Sequence, residues 1–203
     1  MQEPGVVELS DGRLYAYART DVGCHYELYS EDRGETWTAP RPSVFRAPCS
    51  PLCIKRLPVT GDLLAVWNDH SGRLEPIRPQ DNNFESKSWG RTPLVSAISR
   101  DDGRTWEHHK VLEDAADHGF CYTAIHSTDD AVLLAYCCGG GKNSAVLQDL
   151  CVRRVTVDWF YLDCALRHSA PLSPLDVPSI KADISSSEIA TLVRRERGRT
   201  NGT

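Results

Sequence analysis

The chain has 203 residues, of which 40% are hydrophobic and 25% are charged, proportions that are ordinary for a globular protein. The net charge is −5 and no basic block precedes the extreme C-terminus, so the charge does not support a nucleic-acid partner. No run approaches the roughly 18 consecutive apolar residues of a membrane span. The first residues show no signal peptide, which favours a cytoplasmic location.

Short segments of alternating or apolar character, separated by turn residues, follow one another along most of the chain and predict an all-β fold. No sustained helical period occurs before about Ile184. Many short strands with regular turns are typical of a sandwich, a barrel or a propeller. The predicted strands are Val6–Leu9, Arg13–Arg19, His25–Ser30, Leu52–Leu57, Leu63–Trp67, Leu94–Ser99, Tyr122–His126, Val132–Tyr136 and Leu150–Val157. An outer strand after Trp106 is also expected, with His108 and His109 on alternate faces.

An eight-residue repeat selects among these architectures. The segment from Ser30 to Trp37, SEDRGETW, returns 69 positions later as SRDDGRTW, from Ser99 to Trp106. Both copies fit S-x-D-x-G-x-T-W and both directly follow a predicted strand. The Asp can accept backbone N–H bonds across a tight turn, the Gly can take a positive φ, and the Trp can cap the hairpin. Self-similarity at such a period predicts a repeat architecture, and we assign the repeat no catalytic role.

The strand pattern ends at Tyr161. Residues 1–161 are therefore predicted to form the folded domain, and residues 162–203, rich in Ser, Pro and Arg, a C-terminal tail of low order. Within this tail, Ser185 and Glu188 have the spacing of a capping box for a short helix through Arg195.

The cysteines leave two interpretations open. Their number, eight, is even and compatible with disulfides. Cys137 and Cys138 are adjacent, however, and others lie in apolar strand-like runs, so buried free thiols in a reducing compartment are the favoured interpretation. No C-x₂-C pair suggests zinc.

The repeat resembles the Asp-box of sialidase-type propellers, and the N-terminal segment extends this resemblance. The run from Glu3 to Arg19, EPGVVELSDGRLYAYAR, looks like the sialidase segment E-P-x-V-V-E-L-x-D-G-x-L-x-x-x-x-R. In that family, the first Glu pairs with the catalytic Tyr, and the last Arg is one of three that hold the substrate carboxylate. The resemblance thus implies that Glu3 is the base and Arg19 a substrate-binding arginine.

Two downstream positions continue the match. Arg91 stands eight residues before the second repeat, where sialidases place their third arginine. The run CYTAI, which begins at Cys121, resembles the family's Y-S-x-L strand, so Tyr122 matches the nucleophile. The order Glu, Arg, box, Arg, box, Tyr is that of the second half of a sialidase.

The implied chemistry suits these residue types. A sialoside carries a carboxylate beside its anomeric carbon, which would repel an anionic nucleophile but not a neutral Tyr. A Tyr with an ordinary pKa near 10 needs a base such as Glu3 to accept its proton during attack. Arginine suits the carboxylate because its guanidinium binds it bidentately and keeps its charge. The implied partner is a glycan or small acidic sugar, and the resemblance implies no metal or organic cofactor.

The chain departs from the family in three respects. The first arginine of the triad and the acid/base Asp belong to blades that precede the matched segment, and they have no counterpart here. The Glu that follows the Tyr strand is also missing. The resemblance therefore implies an all-β, partial six-bladed propeller of about three blades, interpreted as a truncated product or part of a longer protein. Three functions remain open: a sialidase-like exo-glycosidase, an exo-glycosidase for another acidic sugar, and an inactive glycan-binding or scaffolding propeller.

Overall fold

The computed structural model describes residues 1–73, 88–142 and 144–162. Within them the chain forms eleven β-strands in three antiparallel sheets, followed by a 3-10 helix, Val157–Tyr161. No helix in the described ranges is both long and apolar enough to cross a membrane. The all-β prediction is confirmed, and three successive sheets are consistent with the partial propeller.

Each sheet is a meander, in which strands that are neighbours in sequence are also neighbours in space. The first contains β1 (Gln2–Glu8), β2 (Leu14–Arg19), β3 (Cys24–Ser30) and β4 (Arg41–Arg46). The second contains β5 (Cys53–Arg56), β6 (Leu63–Asn68), β7 (Leu94–Ser99) and β8 (Glu107–Glu113). The third contains β9 (Cys121–Ser127), β10 (Ala131–Cys138) and β11 (Asp149–Thr156).

The central sheet is covered on both faces, which explains its continuous apolar strands. All six residues of β6 are buried, and because strand side chains alternate in direction they divide between two cores. Leu64 and Val66 join the third sheet's cluster, which includes Leu134 and Phe160. Leu63, Ala65 and Trp67 face the first sheet and join a cluster with Tyr15 and Phe45. Full burial of a large apolar side chain of β6, such as Leu63 or Leu64, stabilises the fold by about 1.5–3 kcal/mol.

The two outer sheets bury one face each. In β1 exposed and half-buried residues alternate throughout, and in β11 Leu150 and Val152 are 72% and 64% exposed. Strands β1, β5 and β9 contact one another as the neighbouring first strands of their sheets.

We call the end of the sheets at which β1, β5 and β9 begin the site end, and the opposite end the turn end. The site end carries the β2–β3 and β6–β7 connections. The turn end carries both repeat segments, which there form matching hairpins. Asp32 Oδ1 accepts a 2.8 Å hydrogen bond from the Thr36 backbone N–H, and Asp101 Oδ1 accepts the same bond from Thr105.

Other atoms of the repeat take part as well. Gly34 and Gly103 have φ angles of 96° and 83°, a region that L side chains avoid. The Trp37 indole N–H donates to the carbonyl of Gly34, and Trp106 packs edge-on against Phe45. Asp102 of the second hairpin also accepts hydrogen bonds from Ser10, and forms a 2.8 Å salt bridge with Arg56, so this hairpin ties the first and second sheets together.

The structure corrects two expectations and leaves one outside its range. Strand β4 was not predicted, because Pro42 and the exposed Val44 disguise its alternation. The preference for free thiols is wrong for Cys138 and Cys151, which form a disulfide across β10 and β11 with a Cα–Cα distance of 6.1 Å. Five described cysteines remain free. The predicted tail, 162–203, lies beyond the described residues except for Leu162, and so does its predicted helix.

Candidate functional site

The centre of the site end is a contact between residues 119 positions apart. The phenol of Tyr122 donates a 2.9 Å hydrogen bond to Glu3 Oε1. Tyr122 begins the third sheet and Glu3 the first, so the contact crosses from one sheet to the other. Tyr122 is 44% exposed, so this pair of a phenol and a carboxylate lies at the protein surface.

Local backbone irregularities aim both side chains at this point. The β1–β2 register shifts between Gln2 and Gly5, and the β9–β10 register shifts next to Tyr122. Such bulges redirect a side chain out of the regular strand alternation. Glu3 and Tyr122 both have positive φ, 50° and 58°, a conformation that is uncommon for residues other than Gly and concentrates at functional sites.

Gly5 makes room for the first of these bulges. A Cβ atom at this position would lie 2.3 Å from the Tyr17 ring, closer than real Cβ atoms come to other atoms. The Tyr17 hydroxyl in turn accepts a 2.8 Å hydrogen bond from the Ile54 backbone N–H in the core.

Arg19 anchors Glu3. Its Nη1 forms a 2.9 Å salt bridge with Glu3 Oε2, the oxygen that Tyr122 does not use. Its Nε also donates to the Gln2 side-chain carbonyl at 3.1 Å. Adjacent His25 is fully buried, and burial lowers its pKa to about 4, so it adds no positive charge beside Arg19 at neutral pH.

Arg91 approaches from the β6–β7 connection and lies over the Tyr122 ring, with 5.4 Å between Cζ and the ring centroid. This is cation–π distance. Its backbone is fixed to the segment before the tyrosine, because the Phe120 N–H donates to the Arg91 carbonyl at 2.8 Å. Its guanidinium donates to Cys121 Sγ at 2.7 Å and to the Cys49 carbonyl at 3.3 Å.

The structure thus brings all four predicted site residues into one chain of contacts, from Arg19 through Glu3 and Tyr122 to Arg91. Sequence reasoning missed Gln2, which contacts Arg19, and it missed Cys49 and Cys121, which both contact Arg91. Gln2 borders the matched motif, and Cys121 stands directly before Tyr122, so their positions were a signal. The contact through the backbone carbonyl of Cys49 left no signal in the sequence.

Asn68 ends β6, and Asp69 and His70 follow it. The Asn68 amide donates to the carbonyls of Pro93 and Phe120. Asp69 accepts a 2.9 Å hydrogen bond from the Ser71 N–H, as in an Asx turn. No group of three metal-binding side chains occurs in the described ranges.

A family model matches most of the described chain. The model of the BNR repeat-like domain matches residues 2–134, more than half of the chain. The chain belongs to this family. The matched residues include Glu3, Arg19, Arg91 and Tyr122 as well as both repeat hairpins. Among curated proteins, none matches the sequence.

Solved structures agree on the fold. The intramolecular trans-sialidase from Ruminococcus gnavus has a TM-score of 0.54 at 17% identity, over 79% of this chain and 34% of its own. The leech intramolecular trans-sialidase gives 0.55 at 20% identity, over 78% and 24%. The GH93 α-L-arabinofuranosidase of Fusarium graminearum gives 0.51 at 19% identity, over 75% and 44%.

This BNR-family chain thus spans less than half of each neighbour's length and shares with it the sialidase-type fold. At these identities, and with an arabinofuranosidase among the neighbours, the fold does not select a substrate.

Proposed function

We propose that this chain carries the nucleophile-bearing part of a retaining exo-glycosidase site for a terminal acidic sugar such as sialic acid. The hydrogen bond from Tyr122 to Glu3 is the observation that carries the proposal. It pairs the partly exposed phenol of Tyr122 with the carboxylate of Glu3 as its base. Each of the two residues lies at a bulge in its own strand. An exposed phenol without a base is a poor nucleophile near neutral pH.

In the proposed reaction, Tyr122 Oη attacks the anomeric carbon while its proton passes to Glu3 Oε1. The bond from that carbon to the leaving group breaks, and the leaving group takes the electron pair. An aryl glycoside bond to Tyr122 then holds the sugar until water attacks the same carbon, the phenol leaves with its proton returned by Glu3, and the product has net retention. Arg19 holds Glu3 in place through its other oxygen. The charge of Arg91 beside the ring favours the negative charge that develops on the phenol oxygen.

Both arginines are also the proposed ligands of the sugar carboxylate. Arg19 donates through Nε and Nη2 to the Gln2 side chain and pairs through Nη1 with Glu3, and 13% of its side chain remains exposed. Arg91 lies over the tyrosine ring at the other end of this chain of contacts. A carboxylate held by both cations would place the adjacent anomeric carbon near the phenol.

The chain lacks a counterpart of the family's acid/base Asp, so the test uses a leaving group that needs no proton. A 3-fluorosialosyl fluoride expels fluoride directly, and its ring fluorine slows loss of the sugar from the enzyme. We expect the purified chain to gain one sugar mass, mapped to Tyr122 by peptide mass spectrometry. The Tyr122→Phe chain should gain none.

Tyr161 offers a matched control, because its hydroxyl also contacts a carboxylate, Asp62 Oδ2, at 2.7 Å. We expect Tyr161→Phe to label normally. If a folded chain is not labelled by this reagent or by uronosyl fluorides, the catalytic proposal is wrong and the glycan-binding or scaffolding alternative takes its place. Labelling by uronosyl fluorides alone would identify a different acidic sugar.

A further inference from the structure

Arg91 is an unusual arginine within the described part of the chain. Only 8% of its surface is exposed, and no other arginine in the described ranges is buried. Buried charges in proteins are ordinarily paired with opposite charges. Arg19, Arg41, Arg56 and Arg153 all have a carboxylate within 4.0 Å. No salt bridge among the described residues includes Arg91.

Neutral groups hold Arg91 instead. Cys121 Sγ accepts from Nη1 at 2.7 Å and the Cys49 carbonyl accepts from Nη2 at 3.3 Å, while Cζ lies 5.4 Å from the centroid of the Tyr122 ring. Two acceptors on different nitrogens fix the plane of a guanidinium, whereas a single acceptor lets it rotate. The Cys49 bond is long, so the Cys121 bond is the main restraint.

The thiol remains a neutral acceptor. Cys121 is 1% exposed, and burial raises the pKa of its thiol to about 11, although the nearby Arg91 charge acts in the opposite direction. At neutral pH the thiol is protonated and does not compensate the charge of the guanidinium. A carboxylate at this position would orient Arg91 equally well but would cancel that charge.

We propose that Cys121 is a positioning residue, whose sulfur fixes the guanidinium of Arg91 against the ring of Tyr122 without neutralising it. The consequence for substrate rests on the proposed function: Arg91 would then meet an anionic sugar as a full, pre-oriented positive charge. The restraint itself is a property of the chain and is measurable without any substrate.

The experiment follows the arginine side chains of the purified chain by ¹⁵N NMR, with the Arg91 signals assigned by their loss in Arg91→Lys. In the wild type we expect separate Nη–H signals, because hydrogen bonds slow rotation about the guanidinium bonds. Cys121→Ala removes the acceptor and should speed this rotation about tenfold or more, as for loss of a hydrogen bond to a charged group. Cys121→Ser retains an acceptor and should restore slow rotation at least in part.

Two further variants keep the result decisive. Cys121→Val fills the volume without providing an acceptor, and it should behave like Cys121→Ala if the alanine variant does not fold. Cys24→Ala removes another buried free thiol and should leave the Arg91 signals unchanged. Unchanged rotation in a folded Cys121→Ala or Cys121→Val chain would refute the positioning role.

A titration with N-acetylneuraminic acid, and with its methyl ester as the neutral control, separates this inference from the proposed function. If the acid shifts the wild-type Arg91 signals and the ester does not, Arg91 binds the carboxylate, and Cys121→Ala should weaken that binding about tenfold. If neither compound shifts them, while Cys121→Ala still frees the guanidinium, the proposed substrate is wrong and the positioning role stands.

Discussion

The two ends of the sheets are organised by different kinds of contact. At the turn end, each repeat hairpin is closed by hydrogen bonds between residues two to four positions apart, such as Ser30 to Asp32 and Asp32 to Thr36. At the site end, Tyr122 and Glu3 are 119 positions apart and Arg91 lies 42 positions from its Cys49 acceptor.

Positive φ angles occur at both ends but in different settings. In each repeat hairpin a non-glycine residue, Arg33 or Asp102, and the glycine after it have positive φ within a tight turn. At the site end, Glu3 and Tyr122 have positive φ within strands, which costs on the order of 1–3 kcal/mol each. The repeat hairpins thus confine this backbone conformation to turns, whereas the site end has it where two side chains are aimed at one point.

Replacing Glu3 tests the functional half of this comparison and should have the largest effect. We expect Glu3→Gln to slow labelling of Tyr122 by the sialosyl fluoride by about a hundredfold or more, because the proton of the phenol loses its acceptor. The free energy of unfolding should change by less than about 1 kcal/mol, since the pair is partly exposed. Labelling time courses and urea unfolding measure the two quantities.

Glu8 is the matched control, because it ends the same strand at the turn end. Glu8→Gln should label at the wild-type rate. Equal slowing by both variants would show that charge on β1, rather than contact with Tyr122, governs the reaction.

Gly5 and Gly12 test how each end uses glycine. We expect Gly5→Ala to lower the free energy of unfolding by about 2 kcal/mol, because its Cβ would displace the Tyr17 ring and the bond from Ile54 to its hydroxyl. Gly12 has a φ of 84° and open space around it, so Gly12→Ala should cost about 1 kcal/mol through backbone strain alone.

Urea unfolding of the two variants gives both values. Gly5→Ala should also reduce labelling of Tyr122, since the bulge next to Glu3 is disturbed, whereas Gly12→Ala should not. A Gly5→Ala chain as stable as the wild type would mean that β1 shifts to accept the Cβ.

Replacing Asp32 should have the smallest effect, which is a change in stability alone and depends on pH. Hydrogen bonds from the Thr36 hydroxyl, the Thr36 N–H and Ser30 lower the pKa of Asp32 to about 2 from an ordinary 3.8. A carboxyl whose pKa is lowered on folding stabilises the fold above its unfolded pKa and loses this contribution as the pH falls through the folded value. Asp32→Asn should therefore lower the urea midpoint at pH 7, and the difference should vanish between about pH 4 and pH 2.

Asp21, in the β2–β3 connection at the site end, provides the control for this measurement. Asp21→Asn should leave the urea midpoint near the wild-type value at each pH. A difference between Asp32→Asn and wild type that stays constant down to pH 2 would show that the hydrogen bonds of Asp32 do not depend on its charge.

Much of the fold was predictable because it follows from local pattern. The strand Leu94–Ser99 was predicted with the bounds that the structure has, and Leu63–Trp67 was one residue short of β6. These strands are buried throughout and largely apolar because both faces of the central sheet are covered. Strand β4 was missed because Pro42 interrupts its pattern, which an edge position tolerates.

The candidate site was predictable in its residues but not in its contacts. The motif match named Glu3, Arg19, Arg91 and Tyr122, because the spacing of a family motif can be read from the sequence alone. The acceptor for Arg91 was not visible, since Cys121 and Cys49 are separated from it by 30 and 42 positions. Cys121 was marked only by its place directly before Tyr122, and the backbone carbonyl of Cys49 carried no signal.

By itself the sequence determined the all-β class, the two repeat hairpins and the residue types of the site, because alternation, turn chemistry and motif spacing act over a few neighbouring residues. Only the tertiary structure decided which cysteines pair, how the bulges turn Glu3 and Tyr122 toward each other, and that a thiol rather than a carboxylate holds Arg91. These features depend on which strands become neighbours, and packing between sheets determines that over the whole length of the chain.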